Sequence, residues 1–447
     1  MRFTRLEIAA AVDGVLTGSD GLVDGVSIDS RSLRNGMLFV PVVADRDGHQ
    51  FIGSVAGRAG AWLTMHPDGA EGEIAVLDTT VALQRLGSYA RTRLSGAVIG
   101  VTGSAGKTST KDLLAAALRA HGSAAASERS FNNELGVPLT LANAPGDAFA
   151  AVVEMGARGS GHIARLCAIA RPTVGIVTNI GTAHRELFGS AEGTALAKGE
   201  LLQALPASGT AVLNLDDSMF DLLRGRTDAG VLTFSAESAS GADLWASSIV
   251  LDDGLQARFR MDTPWGTANV RLGARGRHQV ANALAAAGAA LRVGCSLDEV
   301  TEGLSTNELS GMRMELVILP SGARIINDAY NANPGSTAAA LDALAAMPAE
   351  RRIAVLGVMA ELGDDADVMH RETGERARAL HVDAAITVDA PAYRLDDVRG
   401  VEGALAALHS FGAPRAGDVI LVKGSRVAGL ERLVEALTAA GNAGIAP

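Results

Sequence analysis

The chain has 447 residues, too long for one compact core, so we expect two to four domains. Hydrophobic residues make up 48 % and charged residues 20 %, which is ordinary for a globular protein. The net charge of −11 argues against nucleic acid as a partner, although a local pocket can still be basic.

Residues 1–84 form the first predicted unit. Short β-like runs at 26–28, 38–43 and 74–78 suggest a small α/β domain. A helical pattern at 81–94 then leads into the next unit.

The second predicted unit, residues 85–308, alternates strand and helix. Its strand-like runs are 97–101, 150–155, 174–180 and 211–216, and its predicted helices are 107–121 and 278–294. This alternation predicts a mostly parallel sheet with helices on both faces. Glu154, Asn179 and Asp216 follow strands at the carboxyl edge, where such sheets bind ligands. Residues 231–273 alternate in a way that predicts an antiparallel flap.

The third predicted unit, residues 309–447, repeats the alternation. Its strands are expected at 324–330, 352–358, 384–389 and 418–424, separated by helices that begin near 335, run through 370 and lie near 402. The pattern predicts a Rossmann-like domain, so the fold class is α/β with three domains.

Several absences bear on where the protein works. Cys167 and Cys295 lack metal-type spacing and suggest a reducing compartment. Glu7 and Asp13 interrupt what would have to be an apolar signal core, and no run of 18 apolar residues occurs. We therefore expect a cytoplasmic protein without membrane insertion, acting as a monomer.

A phosphate loop is the clearest chemical motif. Gly103, Gly106, Lys107 and Thr108 follow a strand and open a helix, where backbone N–H groups and the helix dipole attract phosphate. The common loop would need a glycine at position 101, which is Val101, so the form is a shorter G-x-x-G-K-T. ATP binding is predicted for residues Gly103, Ser104, Ala105, Gly106, Lys107, Thr108 and Ser109.

Lysine usage singles out further positions. Of 39 basic residues only four are lysines, at positions 107, 111, 198 and 423. Unlike arginine, a lysine amine can be deprotonated and modified. Chance survival on the surface remains an even alternative for Lys111, whereas the other three sit in glycine-flanked motifs. Glu154, at a strand end, is either a Mg²⁺ ligand or a turn cap.

The motifs together resemble the Mur ligase family over essentially the whole chain. They are SIDSR at 27–31, DGH at 47–49, GVTGSAGKT at 100–108, NNELGVPLT at 132–140, VEMGA at 153–157, TNIGTAH at 178–184, AKGE at 197–200, HQVANALAA at 278–286, NDAYNANP at 327–334 and MAELG at 359–363. NNELGVP, NDAYNANP and MAELG are similar to the branch of the family that adds D-alanyl-D-alanine.

The resemblance implies roles for individual residues. Lys107 and Thr108 would hold the ATP phosphates and a first Mg²⁺ together with Glu154, and His184 would bind a second Mg²⁺. Lys198 would be carbamylated by CO₂ to serve as a ligand of that second ion. Further ATP contacts are implied for Asn282, Arg313, Asp328, Tyr330 and Asn331. Substrate contacts are implied for Ser30, Arg31, Asn132, Asn133, Asn333, His370 and Lys423.

The resemblance also implies the reaction. The carboxylate of UDP-N-acetylmuramoyl-tripeptide would attack the γ-phosphate of ATP, and the amine of D-Ala-D-Ala would then attack the acyl phosphate. Two positions depart from the family pattern: Gln279 follows His278 where Asn is common, and Val358 stands where an acidic residue is common.

Four other functions fit the sequence less well. An ATPase motor or GTPase-like switch needs neither the AKGE lysine nor NDAYNANP. A folylpolyglutamate synthase shares the chemistry but lacks the separate N-terminal unit and NNELGVP. A Mur ligase adding the third peptide residue should carry a D-N-P-R signature, which is absent. A non-catalytic scaffold is disfavoured because every expected phosphate and metal ligand is present.

Overall fold

The computed structural model describes residues 1–128, 130–181, 188–237, 241–306 and 309–443. Its strands, numbered in chain order, are β1 Arg2–Thr4, β2 Val15–Leu16, β3 Leu22–Asp24, β4 Val26–Ser27, β5 Leu38–Phe39, β6 Ala61–Thr64, β7 Glu73–Ala75, β8 Ala97–Thr102, β9 Ala124–Ala126, β10 Ala150–Glu154, β11 Val174–Val177, β12 Thr210–Asn214, β13 Gly230–Ser235, β14 Leu244–Leu251, β15 Gln256–Thr263, β16 Gly266–Arg275, β17 Glu315–Ile318, β18 Arg324–Asp328, β19 Arg351–Gly357, β20 Ala384–Val388, β21 Asp396–Val398 and β22 Asp418–Lys423.

The α-helices are numbered in the same way. They are α1 Arg5–Val12, α2 Ile52–Val55, α3 Thr79–Arg93, α4 Lys107–His121, α5 Gly136–Asn143, α6 His162–Ala170, α7 Ala191–Gln203, α8 Phe220–Arg224, α9 Gln279–Val293, α10 Leu297–Thr306, α11 Pro334–Ala346, α12 Ala366–Ala379, α13 Gly400–Phe411 and α14 Glu431–Ala443. Short 3₁₀ turns lie at 48–51, 363–365, 391–393 and 426–428. No helix within the described ranges is long and apolar enough to cross a bilayer.

Three larger sheets divide the chain in sequence order, which confirms the predicted α/β class. The N-terminal sheet has the order β2-β7-β6-β5-β4, and β1 pairs separately with β3. The central sheet has the order β16-β15-β14-β13-β12-β11-β8-β10-β9, and the C-terminal sheet β17-β18-β22-β19-β20-β21. Helix α3 spans the predicted boundary at residue 84, and the exact domain limits stay a prediction.

The central sheet is parallel from β9 through β14 and antiparallel from β14 to β16. The predicted antiparallel flap is therefore partly wrong. Its first segment, β13, pairs in parallel with both β12 and β14, and only Leu244–Arg275 form antiparallel strands. Alternation in the sequence could not separate these cases, because it reports which face of a strand is buried and not the direction of the neighbouring strands.

Neighbouring residues of the central strands face opposite layers of helices. Val98 and Val153 pack in one core with α3, α5 and α6, while Ile99 and Val152 pack in another with α4, α9 and α10. A parallel sheet must be covered on both faces, which explains its continuous apolar strands. This burial fixes the carboxyl ends of β8, β10 and β11 side by side.

Candidate active site

The phosphate loop joins β8 to α4 and depends on two glycines. Gly103 has φ +149° and Gly106 has φ +78°, which side chains rarely adopt. A Cβ on Gly103 would lie 1.9 Å from Thr178 Oγ1, and one on Gly106 would lie 2.3 Å from Asn282 Oδ1. The glycines therefore allow the loop to run directly against two polar side chains, and the shorter spacing still forms a loop at a helix N-terminus.

Asn179 holds the loop from the neighbouring strand. Its side-chain Oδ1 accepts the Ala105 N–H at 3.0 Å, and its carbonyl accepts the Ser104 N–H at 2.9 Å. No side chain caps helix α4 at Gly106. The first backbone N–H groups of the helix therefore face the loop without the side-chain acceptor that a cap residue would provide. The buried Ser104 Oγ has no hydrogen-bond partner among the described residues. Uncapped amides and an unsatisfied hydroxyl are what a phosphate would satisfy.

Lys107 curls back over the loop. Its Nζ donates to the Gly103 carbonyl at 2.8 Å. Burial lowers the pKa of this amine, and Arg313 lowers it further, whereas Glu154 and Glu361 favour the charged form. The amine thus lies where terminal phosphates would compete for it.

Glu154 ends β10 beside the start of α4. Its carboxylate accepts the Thr108 hydroxyl at 2.8 Å and the Asn132 side-chain amide at 2.9 Å. Ser130 Oγ lies 3.4 Å from Thr108 Oγ1. The site therefore combines a hydroxyl and a nearly buried carboxylate, the oxygen ligands that Mg²⁺ prefers.

Lys198 lies on α7 and is only 1 % exposed. Burial lowers the pKa of its amine well below the ordinary lysine value, and the charge of Lys107 lowers it further. The Nζ lies 6.0 Å from the centre of the Phe188 ring. Burial and the neighbouring positive charge make the neutral amine easier to reach than that of a solvated lysine, and a neutral amine is a nucleophile. His184, the other predicted ligand nearby, lies outside the described residues.

Asn282 approaches the loop from α9. Its Oδ1 accepts the Thr110 hydroxyl at 3.3 Å, and its Nδ2 donates to Gln279 Oε1 at 2.8 Å. Gln279 Nε2 in turn lies 3.0 Å from His278 Nε2. Gln279, which departs from the family pattern, therefore orients Asn282. Burial lowers the pKa of His278, Asp328 favours its charged form, and Lys423 opposes it.

Arg313 brings the C-terminal domain to the phosphate-loop side. Its Nη2 donates to Ser130 Oγ at 3.0 Å, and its guanidinium carbon lies 3.9 Å from the centre of the Tyr330 ring. Stacking and hydrogen bonding together fix the guanidinium plane. Arg313 and Tyr330, 17 positions apart, thus meet beside Thr108.

Lys423 ties two C-terminal loops together. Its buried Nζ pairs with Asp328 Oδ2 at 2.5 Å and donates to the Asn331 carbonyl at 3.0 Å. The nearby Ser425 Oγ donates to the Ala332 carbonyl at 3.2 Å. The KGS segment after β22 therefore supports the NDAYNANP loop after β18.

Other predicted substrate residues engage the protein itself. Asn133 Oδ1 accepts the N–H of Leu135 and of Gly136, and Asn333 caps α11 through the N–H of Ser336. Arg31 forms a bidentate pair with Asp29, and the Ser30 carbonyl accepts a guanidinium N–H of Arg58 at 2.5 Å. His370 Nε2 accepts the Met359 N–H at 2.9 Å, and its Nδ1 bonds the Ala366 carbonyl at 2.6 Å. Their substrate contacts stay predictions.

Two of the residues predicted at strand ends lie in different surroundings. Asp216 accepts from Ser235 Oγ and the Ala236 N–H, away from the phosphate loop. Asn179, by contrast, anchors the loop.

Ser130 was missed because a loop serine carries no spacing signal. In the sequence Gln279 stands out only as a departure from the family pattern. Asn282, which it orients, lies one helical turn further along the same helix.

Comparisons with known proteins match two parts of the chain to one family. A model of the Mur ligase middle domain matches residues 101–290, and one of the Mur ligase glutamate ligase domain matches residues 312–426. The UDP-N-acetylmuramoyl-tripeptide–D-alanyl-D-alanine ligase of Escherichia coli (strain K12) is 36 % identical over 448 residues, which cover 97 % of this chain and 98 % of that protein.

Solved structures are similar as well. The crystal structure of MurF from Acinetobacter baumannii has a TM-score of 0.87 and 28 % identity, and covers 98 % of this chain and 99 % of that one. The MurF ligase of Thermotoga maritima in complex with ADP has a TM-score of 0.80 and 27 % identity, and covers 93 % and 97 %. The chain therefore belongs to the Mur ligase family of ATP-dependent, ADP-forming amide ligases.

Proposed function

We propose that this ligase joins D-Ala-D-Ala to the terminal carboxylate of UDP-N-acetylmuramoyl-tripeptide and so makes a peptidoglycan precursor. The observation that carries the proposal is similarity along nearly the whole chain to a relative with that name, including the N-terminal and C-terminal units. The convergence of Lys107, Thr108 and Glu154 with Arg313 supports an ATP site of the same kind.

The reaction requires activation, because a carboxylate is a poor electrophile. A substrate carboxylate oxygen attacks the γ-phosphorus of ATP, and the bond to the β-phosphate oxygen breaks to release ADP. The dipeptide amine then attacks the acyl phosphate, loses a proton and expels phosphate through a tetrahedral intermediate. Such transfers depend on positioning and charge neutralisation. Lys107 and the first amides of α4 supply both.

Thr108 and Glu154 fit a magnesium ion, since their oxygens lie 2.8 Å apart beside the phosphate loop. When bound, Mg²⁺ neutralises charge on the phosphate oxygens. Asn132 holds the second carboxylate oxygen of Glu154 and so orients the first one towards Thr108. His184 and carbamylated Lys198 are proposed to hold a second Mg²⁺.

The lowered pKa of Lys198 supports carbamylation. The neutral amine attacks CO₂, forms an N–C bond and releases one proton, which leaves a carboxylate at the end of the side chain. An arginine cannot react in this way, because it stays protonated. The retention of lysine in an arginine-rich chain agrees with this role.

The C-terminal domain completes the proposed nucleotide site. Asn282 and Asp328 would contact the base and ribose, and Arg313 the phosphates. Tyr330 and Asn331 would complete the site when the domain closes. An acyl phosphate hydrolyses in water, so a domain that closes over it protects the intermediate. Asn132, Asn133, Asn333, His370 and Lys423 would then border the peptide and dipeptide, and Ser30 and Arg31 the uridine nucleotide.

Phosphate release tests the function. The protein is incubated with ATP, Mg²⁺, UDP-muramoyl-tripeptide and D-Ala-D-Ala, using tripeptides that end in diaminopimelate and in lysine. We expect release of ADP and phosphate only when both substrates are present, together with a pentapeptide product. If UDP-muramoyl-dipeptide and a single amino acid support turnover instead, the enzyme adds the third residue and the proposal is wrong.

A further inference from the structure

Lys111, the lysine to which no role has yet been given, lies one turn into the phosphate-loop helix and is buried. It is 2 % exposed, and its Nζ donates to the Ser127 carbonyl at 2.8 Å. It also pairs with Asp112 Oδ1 at 2.7 Å. The alternative that this lysine is a solvated surface residue is therefore wrong, and a buried ammonium is costly unless it is paired, as it is here with the partly exposed Asp112.

The other oxygen of Asp112 reaches across to the start of the C-terminal domain. Asp112 Oδ2 accepts the backbone N–H of Ser310 at 3.0 Å and its hydroxyl at 2.7 Å. The two residues are 198 positions apart. Lys111 thus fixes the carboxylate, and the carboxylate fixes the chain just before Arg313.

The segment that follows Ser310 is held in a costly conformation. Met312 has φ +61° and Met314 has φ +52°, a left-handed conformation that residues with a side chain adopt only at a cost. Between them, Arg313 points to Ser130 and Tyr330. The strain persists only if contacts at both ends hold the segment.

Contacts at the far end belong to the C-terminal domain. The Met312 carbonyl accepts the Tyr330 N–H at 3.2 Å, and the Met314 N–H donates to Asp328 Oδ1 at 3.1 Å. The near end is held by Asp112 through Ser310. Without the contact to Asp112, the segment would keep the contacts within its own domain, where the Glu315 carboxylate also accepts the Met312 N–H at 3.0 Å, but Arg313 would no longer be tied to α4 through Ser310.

We infer that Asp112 and Ser310 are positioning residues that hold Arg313 over the phosphate loop. Lys111 in turn holds Asp112. Because Asp112 lies on the helix whose N-terminus forms the phosphate loop, the anchor sets the distance between that loop and the guanidinium. The inference rests on the proposed contact between Arg313 and the ATP phosphates.

Ser310→Ala is the first test, because it removes one hydroxyl and leaves the buried pair intact. We expect kcat/KM for ATP to fall about five- to tenfold, which is less than the full value of a hydrogen bond to a charged group because the Ser310 N–H still donates to Asp112. Ser310→Thr keeps the hydroxyl and should restore most of the activity. Ser305→Ala is the matched control, since its hydroxyl bonds only the Glu302 carbonyl on the surface of α10.

A double-mutant cycle separates positioning from general stability. Ser310→Ala is combined with Arg313→Lys, and the thermal midpoint of each variant is measured. If Ser310 acts through Arg313, its five- to tenfold effect should shrink to less than about twofold when the Arg313→Lys substitution is already present. Fully additive losses, or no loss in Ser310→Ala, would overturn the inference.

Asp112→Asn gives a second readout. It weakens the same anchor, and it should raise KM for ATP more than it changes KM for the peptide substrate. Equal changes in both constants would contradict positioning. If Arg313→Lys itself leaves ATP kinetics unchanged, the proposed role of Arg313 fails, and that outcome is distinct from failure of the anchor.

Discussion

The two halves of the nucleotide site are built differently. In the central half, Lys107, Thr108 and Glu154 sit at the ends of buried strands and a 15-residue helix. In the C-terminal half, Asp328 ends β18, whereas Arg313 lies on a loop between two left-handed residues, Met312 and Met314. The central half is held by the packing of the sheet, whereas Arg313 is held by a hydrogen bond to Ser130 and by stacking on Tyr330.

This difference suggests a division of labour. A rigid half pre-forms the phosphate and metal positions, where small displacements are expensive. A half held by a few hydrogen bonds can separate and return, as a closing domain must. Variants in the central half should therefore reduce kcat, and variants in the C-terminal half should act more on KM for ATP.

The largest effect is expected for Lys198→Arg. We expect ligation to fall by more than about a thousandfold, because an arginine cannot form a carbamate. Thermal unfolding should show a folded protein, and added bicarbonate should not rescue the variant. Substantial activity that is insensitive to bicarbonate would remove Lys198 from the mechanism.

The native enzyme offers a pH test of the same lysine. Because the pKa of Lys198 is lowered in the fold, its neutral form is present at pH values where a free lysine is charged. Protonation as the pH falls removes that form, so bicarbonate should stimulate the enzyme most at the acidic end of its activity range. Equal stimulation at every pH, or none after exhaustive removal of CO₂, would argue against a carbamate.

Next in size is Lys107→Met in the central half. Removing a preorganised charge at the developing phosphate should lower kcat about a hundred- to a thousandfold. Arg313→Met in the C-terminal half should cost less and raise KM for ATP. Steady-state kinetics with ATP as the varied substrate checks both, and a larger kcat effect at Arg313 would reverse the comparison.

The same division decided what the sequence could predict. Helix α4 was predicted at 107–121 and begins and ends there, because the glycine-lysine loop and a terminal glycine mark both ends. Lys107 and Thr108 were predicted from the loop motif, and Glu154 from its place at a strand end. Strand β6 was missed because its four buried residues carry no alternation.

Contacts between the central and C-terminal domains could not be predicted from the sequence. Ser130 approaches Arg313 from 183 positions away, and no spacing rule links them. A substrate contact of His370 was implied by the family resemblance, yet both its ring nitrogens hold the backbone around Met359 and Ala366. A motif gives residue types in order, whereas the partner of a polar side chain depends on how loops meet in space.

A smaller effect is expected for Lys423→Met, which leaves Asp328 largely buried without its partner. We expect a loss of about 3 kcal/mol in the free energy of unfolding, since breaking a buried pair is costly. The double variant, Lys423→Met combined with Asp328→Asn, should recover part of that loss. Chemical denaturation of both variants measures it, and a double variant less stable than the single one would show that the pair is not the cause.

The smallest effect is expected for Ser104→Ala, where stability and binding should move in opposite directions. The buried Ser104 hydroxyl lacks a partner among the described residues, so its removal should leave the free energy of unfolding without ATP unchanged or raise it by up to about 1 kcal/mol. If the hydroxyl binds a phosphate, ATP affinity should fall about three- to tenfold. Calorimetric titration with a non-hydrolysable ATP analogue and denaturation without nucleotide give the two values. A loss of stability without nucleotide, at unchanged affinity, would mean that the hydroxyl serves the fold and that the central half is less fully prepared for phosphate than its amides suggest.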